Sequence, residues 1–227
     1  MNTKTRVLAC ALVALFVARA AGAAAMTFRD PIGDDKGPGT YTYPTDGVYT
    51  PGSFDLVECA VSVGDNAEFK VTMNDRLADP WGMGVGFATQ MIFIFIDTTA
   101  GKSHTKSLPG LNVDFAEDSA WDKVVILSTQ QASRLSAEVR AEAADLAADI
   151  VIPRRTTGNA KTISAKVNLG ELGGGNDGEC DPRVMDILAP GGNGAPDEAQ
   201  AQYDMLRHEC AADGSSVKRA RLIMVRK

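Results

Sequence analysis

The sequence is poor in aromatic residues: 6% of its 227 positions are Phe, Trp or Tyr, and two are Trp. Histidine is equally scarce, with His104 and His208 alone. They fall in a polar loop and at the end of a helical pattern, without the His-x-x-x-His spacing of a metal site. Ser103 beside His104 makes no triad, because adjacency in sequence does not give the required geometry. Catalysis therefore has no visible site, and the chain reads as a non-enzyme. Positive charge is in deficit, with 23 Lys and Arg against 29 Asp and Glu and a net charge of -6. That balance argues against a nucleic-acid surface or a polybasic membrane anchor. No apolar run reaches the roughly 20 residues of a transmembrane helix.

What is present begins with an address. Residues 1–25 read as a secretory signal: Lys4 and Arg6 are basic, Val7 to Ala18 is apolar, and Ala23-Ala24-Ala25 supplies small residues for cleavage before Met26. The protein is expected to be exported, periplasmic or extracellular, with residues 26–227 forming one domain.

Several segments then alternate with period two. Val57, Cys59, Val61 and Val63 share one face, as do Phe69, Val71 and Met73, and again Ile163, Ala165, Val167 and Leu169. Met91 to Ile96 is continuously apolar, as in a strand buried on both faces. Val124 to Leu127 and Leu222 to Val225 add two short strands. Ala132 to Ala148 carries a helical stripe of Leu135, Val139, Leu146 and Ile150. Asp197 caps a shorter helical pattern through Ala199, Tyr203, Leu206 and Cys210. The predicted fold is mainly β, a sandwich or jelly roll with two peripheral helices covering a sheet face.

Three cysteines follow the signal. Cys59 sits on an apolar strand face and is expected to be a buried, unreactive thiol. Cys180 lies in a Gly/Asp loop and Cys210 ends the second helical pattern, so a Cys180–Cys210 disulfide is expected in an oxidising compartment. On the chain-entropy model such a bridge contributes on the order of 3–4 kcal/mol.

The most unusual stretch is Asp30-Pro31-Ile32-Gly33-Asp34-Asp35-Lys36-Gly37-Pro38-Gly39, leading into Thr40-Tyr41-Thr42-Tyr43-Pro44. Its three carboxylates repel one another unless they are solvated or neutralised. Spacing alone leaves two readings open: a solvated acidic turn with Asx-type caps, or a site for a hard cation taking about 6–8 oxygens. It is neither an EF-hand nor a phosphate loop, since Ile32, Asp35 and Tyr41 break the first pattern and no Gly-Lys-Ser/Thr follows.

This stretch resembles the opening of the C-terminal binding module of glucodextranase. Further matches follow in order: Pro51-Gly52-Ser53-Phe54-Asp55-Leu56, Pro80-Trp81-Gly82, Gly86-Phe87, Trp121-Asp122, Gly173 to Gly178, Asp181-Pro182, Val184-Met185-Asp186 and Tyr203-Asp204-Met205-Leu206. The resemblance, which runs from Phe28 to Arg226, implies a β-sandwich related to the family-nine carbohydrate-binding modules. It also implies a non-catalytic binder of polysaccharide, such as an α-glucan, or of a cell-envelope polymer. Related sandwiches hold structural calcium, which implicates Asp30, Asp34 and Asp35, with Asp55 from a neighbouring strand start. The family-nine modules clamp sugar between indoles, which makes Trp81 and Trp121 the candidate sugar contacts. In one respect the chain departs from the family: a strand-bearing segment expected between Leu172 and Gly173 is missing, which leaves a sheet edge or part of the core uncovered. Two alternatives stand beside this reading. One is an envelope-associated interaction protein without a sugar ligand. The other is a haem-binding sandwich using residues such as Met73, Met83, Met91 or His104.

Overall fold

A computed structural model of the chain describes residues 24–33, 46–97, 104–111, 114–115, 117 and 120–173, together with the backbone of three later strands. Two sheets carry the architecture. The first contains β1 (Ala24–Arg29), β2 (Leu56–Val63), β3 (Asn66–Met73), β7 (Thr156–Asn159) and β8 (Thr162–Asn168) in the order β1-β2-β3-β8-β7, all antiparallel. The second contains β4 (Gln90–Ile96), β5 (Lys123–Leu127), β6 (Ile150–Val151), β10 (Asp204–Met205) and β11 (Arg219–Arg226) in the order β10-β11-β4-β5-β6. A short β9 (Asp186–Ile187) runs parallel beside β11. β1 begins at Ala24, paired with Val63, so cleavage before Met26 would trim its first two residues.

The expected alternation is realised in β3 and β8. Ala67, Phe69, Val71 and Met73 face inward with Ile163, Ala165 and Val167, while Glu68, Lys70, Ser164 and Lys166 face outward. β2 departs from it. A register shift between Leu56 and Glu58 places one extra residue in the strand. The bulge lets Leu56 and Cys59 both turn into the core and takes Val57 out of the expected set. The Val57 carbonyl, in turn, accepts the Asp30 N–H at 3.0 Å.

Between the sheets lies one core, in which Phe28, Leu56, Val61, Phe69, Val71 and Ile163 meet Ile92, Ile94, Val125 and Leu127. A second core covers the opposite face of the second sheet, where Phe93, Phe95, Val124 and Ile126 pack under Leu108, Leu111, Phe115, Trp121 and Leu135. The fold thus has three layers, and β4 and β5 are buried from both sides. This is why their sequences are apolar without alternation.

The described residues contain one α-helix, α1 (Ala132–Glu142), which lays Leu135 on the outer core. It stops before the expected Ala148. The Ala143 N–H still bonds the Val139 carbonyl, but turns follow, and the Lys123 ammonium takes the Ala148 carbonyl at 3.0 Å. The turns that follow carry Leu146 to the outer core and Asp149 to Lys123 and His104. The second expected helix is overturned where it can be seen: Asp204–Met205, within its span, is a strand paired with Met224 and Ile223. Pairing with a sheet satisfies these backbone groups from outside the segment, which a 3.6-residue periodicity cannot anticipate. Its other residues lie outside the described ones.

One polar staple ties the cover layer down. Lys123 Nζ lies 2.8 Å from Asp149 Oδ1, and His104 Nε2 lies 3.0 Å from Asp149 Oδ2 while its ring rests 4.6 Å from that of Trp121. Partial burial pushes the Asp149 carboxyl up, but hydrogen bonds from Lys123 and His104, with their charge, hold it below the ordinary 3.8. A carboxylate with a lowered folded pKa adds stability that is fully present above its unfolded value and is lost as pH falls through the folded one. Asp149→Asn should therefore melt below wild type at neutral pH. The gap should close on acidification, as pH falls below the ordinary carboxylate range and through the lowered pKa of Asp149. A gap unchanged across that range would remove the staple from the energetics.

Gly86 makes the tightest backbone approach. Its φ is +88°, and a Cβ there would lie 2.2 Å from the Gly158 carbonyl oxygen, whose own N–H bonds Val85 at 2.7 Å. Backbone cannot rotate aside as a side chain can. Gly86→Ala should cost about 2–4 kcal/mol from strain and clash together, a melting-temperature drop of roughly 5–10 °C. An unchanged melting temperature by calorimetry would show that this contact is not rigid.

Candidate functional site

The loops at one end of the first sheet gather the features nominated by sequence. β1 ends there, β2 begins, β3 ends, and the β7–β8 turn closes beside them. Pro51 to Asp55 forms a tight turn with Gly52 at φ +77°. The Ser53 carbonyl accepts Gln90 Nε2 at 2.9 Å, and the Phe54 ring packs 5.7 Å from Tyr49. The next residue is therefore presented by a braced backbone. That residue, Asp55, is 1% exposed. Its Oδ2 accepts two hydrogen bonds of 2.8 Å, from the Gly33 N–H and from Asn74 Nδ2. The Asn74 N–H also bonds the Asp55 carbonyl at 2.8 Å, which fixes the amide that serves the carboxylate.

The acidic turn is thus docked at both of its described ends, through the Asp30 N–H on β2 and the Gly33 N–H on Asp55. Asp30 follows β1 and Asp55 precedes β2, at the same end of two adjacent strands. Asp34 and Asp35 lie outside the described residues. Among the described residues no group of three His, Cys, Asp or Glu side chains gathers around a metal position. The donor set is nevertheless the right chemistry for a hard cation. It is all oxygen, and a buried carboxylate costs several kcal/mol in desolvation unless it is compensated.

Trp81 stands on a second braced loop. The Asp79 carboxylate caps the turn, accepting the Met83 N–H at 2.7 Å and the Gly84 N–H at 2.9 Å. Gly82 and Gly84 supply the positive φ values that the turn needs. The loop is tied to the β7–β8 turn by the Leu77 N–H on the Ala160 carbonyl at 2.7 Å. The indole is 54% exposed, and with Met83 and Ile32 it makes up the large apolar side chains left exposed among the described residues. Sequence reasoning missed Asn74 and Asp79. Each had a signal: an Asn-Asp pair closing an alternating strand, and an Asp placed to cap the glycine turn that follows it.

The other nominated residues are located elsewhere. Trp121 is not a sugar platform: it is 1% exposed, its indole N–H is committed to the Lys106 carbonyl at 2.9 Å, and Phe95 meets it edge-on at 5.0 Å. Its position beside an apolar strand makes it core. Met73 lies in the core between the sheets, whereas His104 sits over the opposite face of the second sheet, so the two do not form one pair of haem ligands. Cys59 is buried and free, and burial, with Glu58 beside it, pushes its thiol up to about 12. Cys180 and Cys210 lie outside the described residues.

Residues 25–172 match the family model described as the C-terminal binding module, SLH-like, of glucodextranase, and the chain belongs to this family. The match takes in the acidic turn, the Asp55 turn, the Trp81 loop and the Gly86 contact. It ends at Leu172, where the family's further segment was expected, so the later motifs from Gly173 to Leu206 fall beyond it. No curated protein matches the chain. No described helix is long and apolar enough to cross a membrane.

Proposed function

We infer that this member of the glucodextranase binding-module family is an exported, non-catalytic module that binds polysaccharide or a cell-envelope polymer. The observation that carries the reading is Trp81. In a chain that buries its other described tryptophan and its phenylalanines, one indole is held outward on a loop capped by Asp79. Sugar C–H faces stack on such an apolar plate, and a pinned loop lowers the entropy lost on binding. The family being a binding module supports the absence of turnover. The basic-then-apolar leader supports export.

Calcium belongs to the same reading. Asp30 and Asp55, with Asp34 and Asp35 of the connecting turn, would hold it. The ion would neutralise a carboxylate cluster and lock the turn onto β2, next to the loop that carries Trp81. A second reading, an envelope interaction protein without a sugar ligand, draws support from Ile32 and Met83, exposed apolar side chains near the same end. Such a surface suits a protein partner as well as a glycan.

Calcium should raise the melting temperature of mature protein, by an amount equivalent to about 2.7 kcal/mol at a hundredfold excess over Kd. Chelator should reverse the shift, and joint Asp34→Asn and Asp35→Asn substitution should abolish it. Identical melting in calcium and in chelator would remove the metal from the turn. For the ligand, Trp81→Ala should weaken retention on insoluble α-glucan or envelope polysaccharide roughly tenfold, about 1.4 kcal/mol, with melting unchanged. Equal retention of the variant would exclude the indole as the contact. Reducing ends released from the glycan by wild type would overturn the non-catalytic assignment.

A further inference from the structure

The outward face of the first sheet carries a second feature, far along the strands from Trp81. Where the chain enters β7, Pro153-Arg154-Arg155 passes beside the end of β8 and walls an open groove of about 590 Å³. Its floor is the polar side of β3 and β8, including Glu68, Ser164 and Lys166. Thr156 pairs with Ala165, which brings Arg155 level with Lys166 on the neighbouring strand.

The charges in this groove do not cancel. Glu68 is shared between Lys70 at 3.4 Å and Lys166 at 3.9 Å. Glu171, at the rim, is taken up by the Asn168 N–H at 3.2 Å, as one half of a capping box on the turn after β8. Glu68 is thus paired with lysine, and Glu171 is hydrogen-bonded to backbone rather than to either arginine. Arg154 and Arg155 are exposed, and neither guanidinium meets an acid among the described residues. Two adjacent guanidiniums without an acid partner among the described residues, with the Lys166 ammonium that Glu68 holds only at 3.9 Å, therefore stand on one face of a chain whose overall charge is -6. Guanidinium forks match carboxylate geometry and give up hydration more readily than ammonium does. The hydroxyls of Ser164 and Thr157, 3.1 Å apart, offer donors and acceptors beside them.

The geometry points to this groove as a binding site for an acidic polysaccharide, its carboxylates read by Arg154 and Arg155 with Lys166 and its hydroxyls by the polar strand face. The inference rests on the polysaccharide-binding reading and names a ligand class and a second surface for it. Nucleic acid also offers negative charge, but the groove is lined by no aromatic ring on which a base could stack, whereas its hydroxyls and amides suit the hydroxyls of a sugar.

The test is affinity electrophoresis of the mature protein through gels containing polygalacturonate, a neutral α-glucan, or single-stranded DNA. Polygalacturonate should retard wild type, and added salt should weaken the retardation. Joint Arg154→Gln and Arg155→Gln substitution should reduce it at least tenfold with melting unchanged, while Arg134→Gln on α1, an exposed arginine outside the groove, should leave it intact. Retardation by polygalacturonate that survives the double substitution overturns the site. So does binding to neutral glucan with none to polygalacturonate, and so does equal or stronger binding to DNA. No retardation in any polysaccharide gel would instead overturn the polysaccharide reading on which the inference stands.

Discussion

Burial of the second sheet on both faces is the constraint from which the rest of this fold follows. β4 and β5 present apolar side chains upward and downward with no polar face to give to water. Such strands must be covered twice. The first sheet covers one side, and Leu108, Leu111, Phe115 and Trp121 with α1 cover the other. This requirement fixes the fate of Trp121, the largest side chain of the cover. It also explains why the polar staple of Lys123, His104 and Asp149 sits where the cover layer meets the sheet edge. Once both faces of the second sheet are used, the outward face of the first is, among the described residues, the sheet surface left uncovered, and loops gather at its ends.

The readable parts of the sequence were those where local pattern and burial agree. β3 and β8 each bury one face, so period-two alternation survives in Phe69, Val71, Ile163 and Val167. The exposed Trp81 was legible because a Pro/Gly turn rarely forms core. The illegible parts depend on partners distant in sequence. The bulge at Val57 exists to aim Leu56 and Cys59 together, and alternation alone placed Val57 inward. Helix α1 stops short of Ala148, and the turns after it bring Leu146 to the outer core and Asp149 to Lys123 and His104, partners remote in sequence. Trp121 is buried by a layer that includes Leu108, Leu111, Phe115 and Leu135, which the residues on either side of it do not announce. Asp55 was the reverse case: its place among the site residues came from the family motif, while its reason, a buried carboxylate held by Gly33 and Asn74, needed three chain segments brought together.

The two candidate surfaces divide recognition by physical type. The loop end offers an apolar plate, Trp81, whose contact with a sugar is short-ranged and indifferent to salt. The groove offers charge and hydroxyls on strands, where spacing is fixed by the sheet at about 4.8 Å between neighbours. Rigidity is common to both, and it has different sources. The Trp81 loop is stiffened by the Asp79 cap and the Gly86–Gly158 contact, whereas the groove inherits its order from the hydrogen-bonded ladder of β3, β8 and β7.

An acidic protein that holds an acidic glycan faces an apparent electrostatic conflict, and the range of the forces resolves it. At physiological ionic strength the Debye length is about 8 Å. Charges on the far side of a three-layer domain lie well beyond that distance, so their repulsion is largely screened. Arg154, Arg155 and Lys166 act at contact distance, where screening is weakest and desolvated guanidinium–carboxylate pairs are strongest. The global charge then governs encounter and solubility, and the local charge governs residence. The two surfaces stay separate for the same reason: the Trp81 loop stands towards the opposite end of the strands, so its short-ranged contact with a sugar neither adds to nor opposes the charge of the groove.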